Sequence, residues 1–245
     1  TLNSEITLPA DSAVMGKSCT ISFTVEAVQF NADAKNEIHY PTTAAGLKDA
    51  LAEGGQVYIY KDFTTDASKT LPFNRTFINN PTTIDLEATI TVPGSLEDSS
   101  NWAALFINAD TTINANGGGI NCVDKTDSSA AYAGGTFVAN VQSGATVTVN
   151  GGTYYGGGTT FQVEKGTLII NGGFFSVYPD IGTHDYRYVL NCIDGNNSYG
   201  GNGTANIIVK GGTFVNFNPA DNAAEGAGTN FVPEGYSVIK KVQDE

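Results

Sequence analysis

An alternating strand that runs into a pair of glycines recurs along this chain, and it constrains the fold more than any other feature. Ala145-Thr146-Val147-Thr148-Val149-Asn150-Gly151-Gly152-Thr153-Tyr154 returns as Gly166-Thr167-Leu168-Ile169-Ile170-Asn171-Gly172-Gly173-Phe174-Phe175 and as Ala205-Asn206-Ile207-Ile208-Val209-Lys210-Gly211-Gly212-Thr213-Phe214. Thr112-Ile113-Asn114-Ala115-Asn116-Gly117-Gly118 and Ala133-Gly134-Gly135-Thr136-Phe137 are partial copies. Self-similarity of this kind marks a stacked array, because one short unit cannot bury its apolar side except against a neighbour. The second glycine of each pair falls at 118, 135, 152, 173 and 212, in steps of 17, 17, 21 and 39. A period near 20 predicts a solenoid. The last step then covers two turns, with Tyr188-Val189-Leu190-Asn191-Cys192-Ile193 as the rung between.

In such a stack each inward side chain rests on its counterpart one turn away, roughly 4.8 Å along the axis. Val147, Val149, Leu168, Ile170, Ile207 and Val209 are expected to form an aliphatic ladder, and Phe137, Tyr154, Phe175 and Phe214 an aromatic one. Corner glycines supply positive φ and close backbone approach where the chain bends between faces. Earlier strands are legible at Gln56–Tyr60, Thr83–Leu86, Ala88–Val92 and Leu105–Ile107. Before them, residues 43–55 read as a short helix with a threonine N-cap and a glycine stop, placed to cover the open first turn.

Composition narrows the partners. Asp and Glu number 25 against 12 Lys and Arg, a net charge of −13, so nucleic acid and anionic membrane surfaces are repelled rather than gathered. Charged residues make up only 15% of 245 while glycine alone contributes 29, a balance that favours tight turns and short strands. No apolar run approaches the length of a membrane span and no basic-then-apolar leader opens the sequence, so neither membrane insertion nor a signal peptide of its own is expected. Three cysteines, Cys19, Cys122 and Cys192, without C-x-x-C spacing indicate neither a zinc knot nor a disulfide framework, although one pair stays possible.

The pattern [AG]-[TN]-[VLI]-x-[VI]-x-G-G-[TF]-[FY], preceded by the Leu47-x-x-Ala50-Leu51-x-x-Gly54-Gly55 helix and the Thr83-Ile84-Asp85-Leu86 strand, resembles the pectin-lyase-like β-helix modules of bacterial surface proteins. The resemblance runs from about residue 40 to 240, closing on Asn230–Val238. It implies an all-β chain: a right-handed, single-stranded parallel β-helix over residues 39–245, with a short capping helix. Residues 16–29 resemble the last strand of camelysin and TasA-like biofilm matrix proteins, which makes residues 1–38 a β-strand or hairpin appendage. An amphipathic strand with Ile21, Phe23 and Val25 on one face is suited to capping the stack or to pairing with another subunit. The pectin-lyase-like superfamily holds lyases, hydrolases, phage tailspikes, adhesins and inert stalks, so it implies an architecture rather than one activity. An extracellular or cell-surface bacterial location follows from the same resemblance.

Candidate chemistry is sparse. Pectate-lyase-like sites need a basic residue facing carboxylates that hold Ca²⁺. Arg75 and Arg187 are the two arginines, and Arg75, in Phe73-Asn74-Arg75-Thr76, stands apart from any acidic cluster in sequence and reads as structural. Glycosidase chemistry needs paired carboxylates. Asp124 and Asp194, in the related Asn121-Cys122-Val123-Asp124 and Asn191-Cys192-Ile193-Asp194, are the best pair, yet whole turns separate them and hydrogen bonding at corners is the favoured role. Cys122 and Cys192 read as packed apolar residues, since the only histidines, His39 and His184, have no triad-like context. No catalytic residue, metal or cofactor is therefore expected.

The insertion from Tyr178 to Tyr188 projects from the repeat and gathers tyrosines with charges. Tyr178, Asp180, His184, Asp185, Tyr186 and Arg187 form the candidate binding set, with Tyr199 beside it: aromatic faces stack on sugar rings while Asp and Arg bond hydroxyls. A solvated loop with a local Asp–Arg pair is the competing reading, and Trp102 is similarly open. The sequence thus points to a structural or adhesive surface or matrix protein whose partners are glycans or neighbouring proteins, with self-association through the N-terminal strand. A polysaccharide lyase or glycoside hydrolase is the alternative, and a phage tailspike-like receptor-binding protein the third.

Overall fold

The computed structural model describes residues 38–64, 76–92, 103–122, 137–177, 188–193, 204–222, 225–226 and 228–242. All of them belong to one compact unit, Lys35–Glu245. The N-terminal strand expected within residues 1–38 lies outside the described residues apart from Ile38.

The described part is mostly parallel β-sheet with one α-helix. In chain order it runs β1 (Ile38–His39), α1 (Ala44–Glu53), β2 (Gly55–Ile59), β3 (Phe63–Thr64), β4 (Thr76–Ile78), β5 (Thr82–Leu86), β6 (Thr89–Thr91) and β7 (Ala103–Ile107). It continues through β8 (Thr111–Ala115), β9 (Gly119–Asn121), β10 (Phe137–Val141), β11 (Ala145–Gly156), β12 (Phe161–Val163), β13 (Gly166–Val177), β14 (Leu190–Cys192), β15 (Ala205–Val209) and β16 (Thr213–Phe214).

Every pairing among the described strands is parallel, and they sort into three ladders that the chain visits in rotation from β2 onward. β1, β2, β5, β8, the first halves of β11 and β13, and β15 make the first ladder. β3, β6, β9, the second halves of β11 and β13, and β16 make the second. β4, β7, β10, β12 and β14 make the third. β11 and β13 join the first two because each continues through its glycine pair with only a register shift.

Inward positions stack as the alternation requires. On the first ladder Val57, Ile84, Ile113, Val149, Ile170 and Val209 align, all at most 4% exposed. Val147, Leu168 and Ile207 form the adjoining row, so the expected aliphatic ladder is in place. Each such burial contributes roughly 1.5–3 kcal/mol. On the second ladder the aligned row is Phe63, Ile90, Ile120, Tyr154, Phe175 and Phe214.

Phe137 is not in that row, which corrects the sequence reading. It begins β10 on the third ladder, opposite Ala103, because the second-ladder strand of its turn has already been laid down at Gly119–Asn121. The spacing is corrected too. Ile170 pairs directly with Val209, so the 39-residue step is one repeat, not two, and Leu190-Asn191-Cys192 pairs with Phe161-Gln162-Val163 on the third ladder. Matched positions on the first ladder are 18, 27, 29, 36, 21 and 39 residues apart, from His39 through Val57, Ile84, Ile113, Val149 and Ile170 to Val209. Pairing fixes the inward apolar positions, while the connections between ladders are free to differ in length.

The corner glycines have the conformation and crowding their role demands. Gly152 (φ 97°) and Gly173 (φ 123°) lie where side chains are rarely tolerated. A Cβ on Gly152 would meet the Tyr154 hydroxyl at 2.8 Å, and one on Gly173 the Phe175 ring at 3.0 Å.

Both ends of the stack carry cover. The Thr43 side chain accepts from Gly46 N at 3.0 Å to cap α1, and Gly54 (φ 84°) stops it, as the sequence indicates. α1 buries Leu47, Ala50 and Leu51 and packs against β4, the first strand of the third ladder and its edge, with Asn80 Nδ2 donating to Ala52 O at 3.0 Å. At the other end Val209 N donates to Phe231 O at 2.8 Å, the Phe217 ring meets Phe214, and Cys192 N donates to the Glu225 carboxylate. The segment after β16 thus satisfies strand edges that would otherwise invite pairing.

Candidate functional site

Outward positions alternate with the buried ones, and on the first ladder they assemble a row of carboxamides. Tyr58, Asp85 and Asn114 face outward on adjacent strands. Asn114 Nδ2 donates to Asp85 Oδ1 at 2.9 Å, Asn150 Nδ2 to Asn114 Oδ1 at 2.9 Å, and Asn171 Nδ2 to Asn150 Oδ1 at 2.7 Å. Gln56 Nε2 closes the start of the row on Asp85 Oδ2 at 2.8 Å. Each internal asparagine spends one N–H and one lone pair on its neighbours and keeps the others for a ligand or water.

One end of the row is aromatic. The Tyr40 ring stands edge-on to Tyr58 at 5.5 Å and tilted to Tyr60 at 6.5 Å, and Tyr40 and Tyr60 are about half exposed. The side-chain hydrogen bond of Tyr58 with Glu87 raises the phenol pKa, with a smaller push from desolvation, so the hydroxyl stays protonated. Tyr58, Asp85, Glu87, Asn114, Asn116 and Asn150, over Leu86 and Ala115, line an open cleft of about 380 Å³. The arrangement offers stacking surface, two carboxylates and repeated amide donors and acceptors. It presents no nucleophile with a base, and among the described residues no group of three or more His, Cys, Asp or Glu is placed to hold a metal.

Tyr178, Asp180, His184, Asp185, Tyr186 and Arg187 are outside the described residues, as are Asp124, Asp194, Tyr199, Arg75 and Trp102. The described strands on either side of that insertion are β13, which ends at Val177 on the second ladder, and β14, which begins at Leu190 on the third. Asn121-Cys122 and Asn191-Cys192, although alike in sequence, sit on different ladders. Cys122 and Cys192 are thiols within the hydrophobic core, and burial pushes the Cys122 pKa up, away from a reactive thiolate. His39 stands 3.8 Å from Glu53.

Two further polar features escaped the sequence reading. A second amide row, Asn191 to Gln162 (2.9 Å) to Asn140 (3.4 Å), lies on the third ladder, where Asn140 is fully buried and its Nδ2 has no partner among the described residues. Glu225 is 1% exposed, with Oε1 accepting from Cys192 N at 3.1 Å and Oε2 without a partner among the described residues. Desolvation raises its pKa to about 7 against the opposing pull of that hydrogen bond. The first-ladder row was legible in principle, since Asn150 and Asn171 each precede a glycine pair and fall at outward positions of their strands.

No described helix is long and apolar enough to cross a membrane. Comparison with protein-family models, with curated proteins and with solved structures finds no match to this chain.

Proposed function

We propose that this chain is a right-handed parallel β-helix from a secreted or cell-surface bacterial protein, with a structural and adhesive role in which the rigid stack presents its outer faces to glycans or neighbouring surface proteins. The handed solenoid accounts for three parallel ladders visited in rotation, an arrangement that also suits a rod. Residues 1–38 serve self-association in this reading.

The observation that carries the adhesive role is the first-ladder face. Exposed tyrosines, two carboxylates and a fixed row of amides combine ring stacking with directional hydrogen bonding, which is the chemistry that sugars require. A scaffold of paired strands holds these groups in place, so little order has to be created on binding.

A glycan array covering mucin, host and bacterial polysaccharides tests this reading, with reducing ends and unsaturated uronate absorbance read from the same polymers. Binding without new chain ends is expected. Turnover of any polymer would replace adhesion with lyase or hydrolase chemistry.

A further inference from the structure

We infer that the ligand of this face is a neutral, linear glycan lying across the strands, one sugar to each rung, with its end on the tyrosines. The inference rests on the proposed glycan-binding role and adds the ligand's class, its direction and its length.

The direction comes from the row itself. Its five rungs, Tyr58, Asp85, Asn114, Asn150 and Asn171, stand on successive strands spaced by roughly 4.8 Å, directly paired from Tyr58 to Asn114 and linked beyond that by side-chain bonds across a register shift at Asn150, which pairs with Gly172. One pyranose in an extended chain advances by a similar distance, so successive sugars meet successive rungs. The rung-to-rung bonds fix the orientation of every carboxamide, leaving one N–H and one lone pair of Asn114 and Asn150 unused. A pocket for a single terminal sugar would be closed around it, whereas this cleft is open and its lining continues along the row to Asn150.

The class comes from charge. Asp85 and Glu87 lie in the cleft, no cation among the described residues lines it, and the chain carries a net −13. A uronate would place its carboxylate against these groups. Lys61, three residues after Tyr58, holds its Nζ over the Phe63 ring at 5.6 Å from the centroid and is not among the residues lining the cleft, while Lys210 follows β15, the strand beyond Asn171. The polarity of the site therefore asks for hydroxyls and acetamides. Tyr58, with Tyr40 against it, supplies the face on which a terminal sugar ring stacks.

The test titrates the full chain with linear neutral oligomers of hexose and of N-acetylhexosamine, two to eight sugars long, and with oligogalacturonates of the same lengths. Neutral oligomers are expected to bind more tightly with each added sugar and to level off near about five, the number of rungs at strand spacing. Asn171→Ala should weaken the six-sugar oligomer several-fold and leave the disaccharide unchanged, while Tyr58→Ala weakens both. Thermal unfolding of each variant reports whether the stack is intact. Asn171→Ser, which keeps a hydroxyl at the rung, should recover part of the lost affinity. Equal or tighter binding of galacturonates, affinity independent of length, or an Asn171→Ala variant that binds six sugars normally would overturn the inference and leave glycan binding standing. Absence of binding to every glycan on the array and in both series would remove the wider reading as well.

Discussion

The ring of Tyr154 lies nearly parallel to that of Phe175, with centroids 5.2 Å apart and planes 17° from coincidence, while its hydroxyl donates to Gly151 O at 2.8 Å. One side chain thus ties the aromatic row of the second ladder to the glycine corner that precedes it. Tyr154 is fully buried, so the hydroxyl has exchanged water for that single carbonyl.

Removing the hydroxyl alone should be mild. Tyr154→Phe copies what the next two repeats already contain, Phe175 and Phe214, and is expected to cost about 1 kcal/mol in urea unfolding for the lost hydrogen bond. Tyr154→Ala removes the ring between Ile120 and Phe175 and should cost about 3–5 kcal/mol. Equal losses in the two variants would mean that the corner bond, not the stacking, carries the energy.

Glycine substitutions separate conformation from crowding. Gly144 has φ 80° with open space where a Cβ would stand, so Gly144→Ala measures the left-handed backbone alone, about 1–2 kcal/mol. Gly152, at φ 97°, adds contacts of 2.7 Å with the Ala115 side chain and 2.8 Å with the Tyr154 hydroxyl. Gly152→Ala is therefore expected to destabilise by clearly more than Gly144→Ala in the same denaturant series. Similar values for both would show that the corner relaxes around the added methyl.

Glu225 sets a pH dependence whose sign is opposite to that of an ordinary ion-paired acid. Its folded pKa is raised from 4.5 to about 7, so between those values the folded chain holds a proton that the unfolded chain has released. Stability contributed by this group is full below about pH 4.5, falls as pH rises to about 7, and changes little above that. Urea midpoints between pH 5 and 8 should decline for the parent chain, and Glu225→Gln should remove that part of the decline and be the more stable protein at pH 8. An unchanged slope in Glu225→Gln would assign the dependence to another group.

The inward half of this fold is written plainly in the sequence and the outward half is not. Val147, Leu168 and Ile207 sit in phase with their glycine pairs, so burial and pairing fix them together. Thr43 and Gly54 mark the ends of α1 by local chemistry alone. Phe137 misleads because the letters Gly-Gly-Thr-Phe recur at a place where the chain is entering the third ladder. Local sequence carries no sign of which ladder a strand joins, since pairing partners stand 18 to 39 residues away through connections of no fixed length. The amide row is harder still: Asn114, Asn150 and Asn171 are ordinary residues one at a time, and become a surface only when those connections bring them onto neighbouring strands.

The energetics of that row should be those of a connected chain rather than of separate side chains. Asn114 both donates to Asp85 and accepts from Asn150, so Asn114→Ala cuts two links, whereas Asn171→Ala removes the donor at the end of the three-amide series. Each severed bond is expected to cost about 1 kcal/mol or less at this part-exposed face. Because the Asn150–Asn114 bond is lost in either variant and so counted twice in the sum, Asn114→Ala and Asn150→Ala together should destabilise by less than the sum of the two alone, with a coupling of roughly 0.5–1 kcal/mol. Asn206, on β15 and outside the row, supplies the control: Asn206→Ala combined with Asn114→Ala should be additive within error. Non-additivity confined to the bonded pair would show that the amides are held as one oriented unit, which is the property a ligand spanning several rungs needs. Additivity in both pairs would mean that each asparagine is solvated independently, and the rungs would then offer a ligand no common orientation.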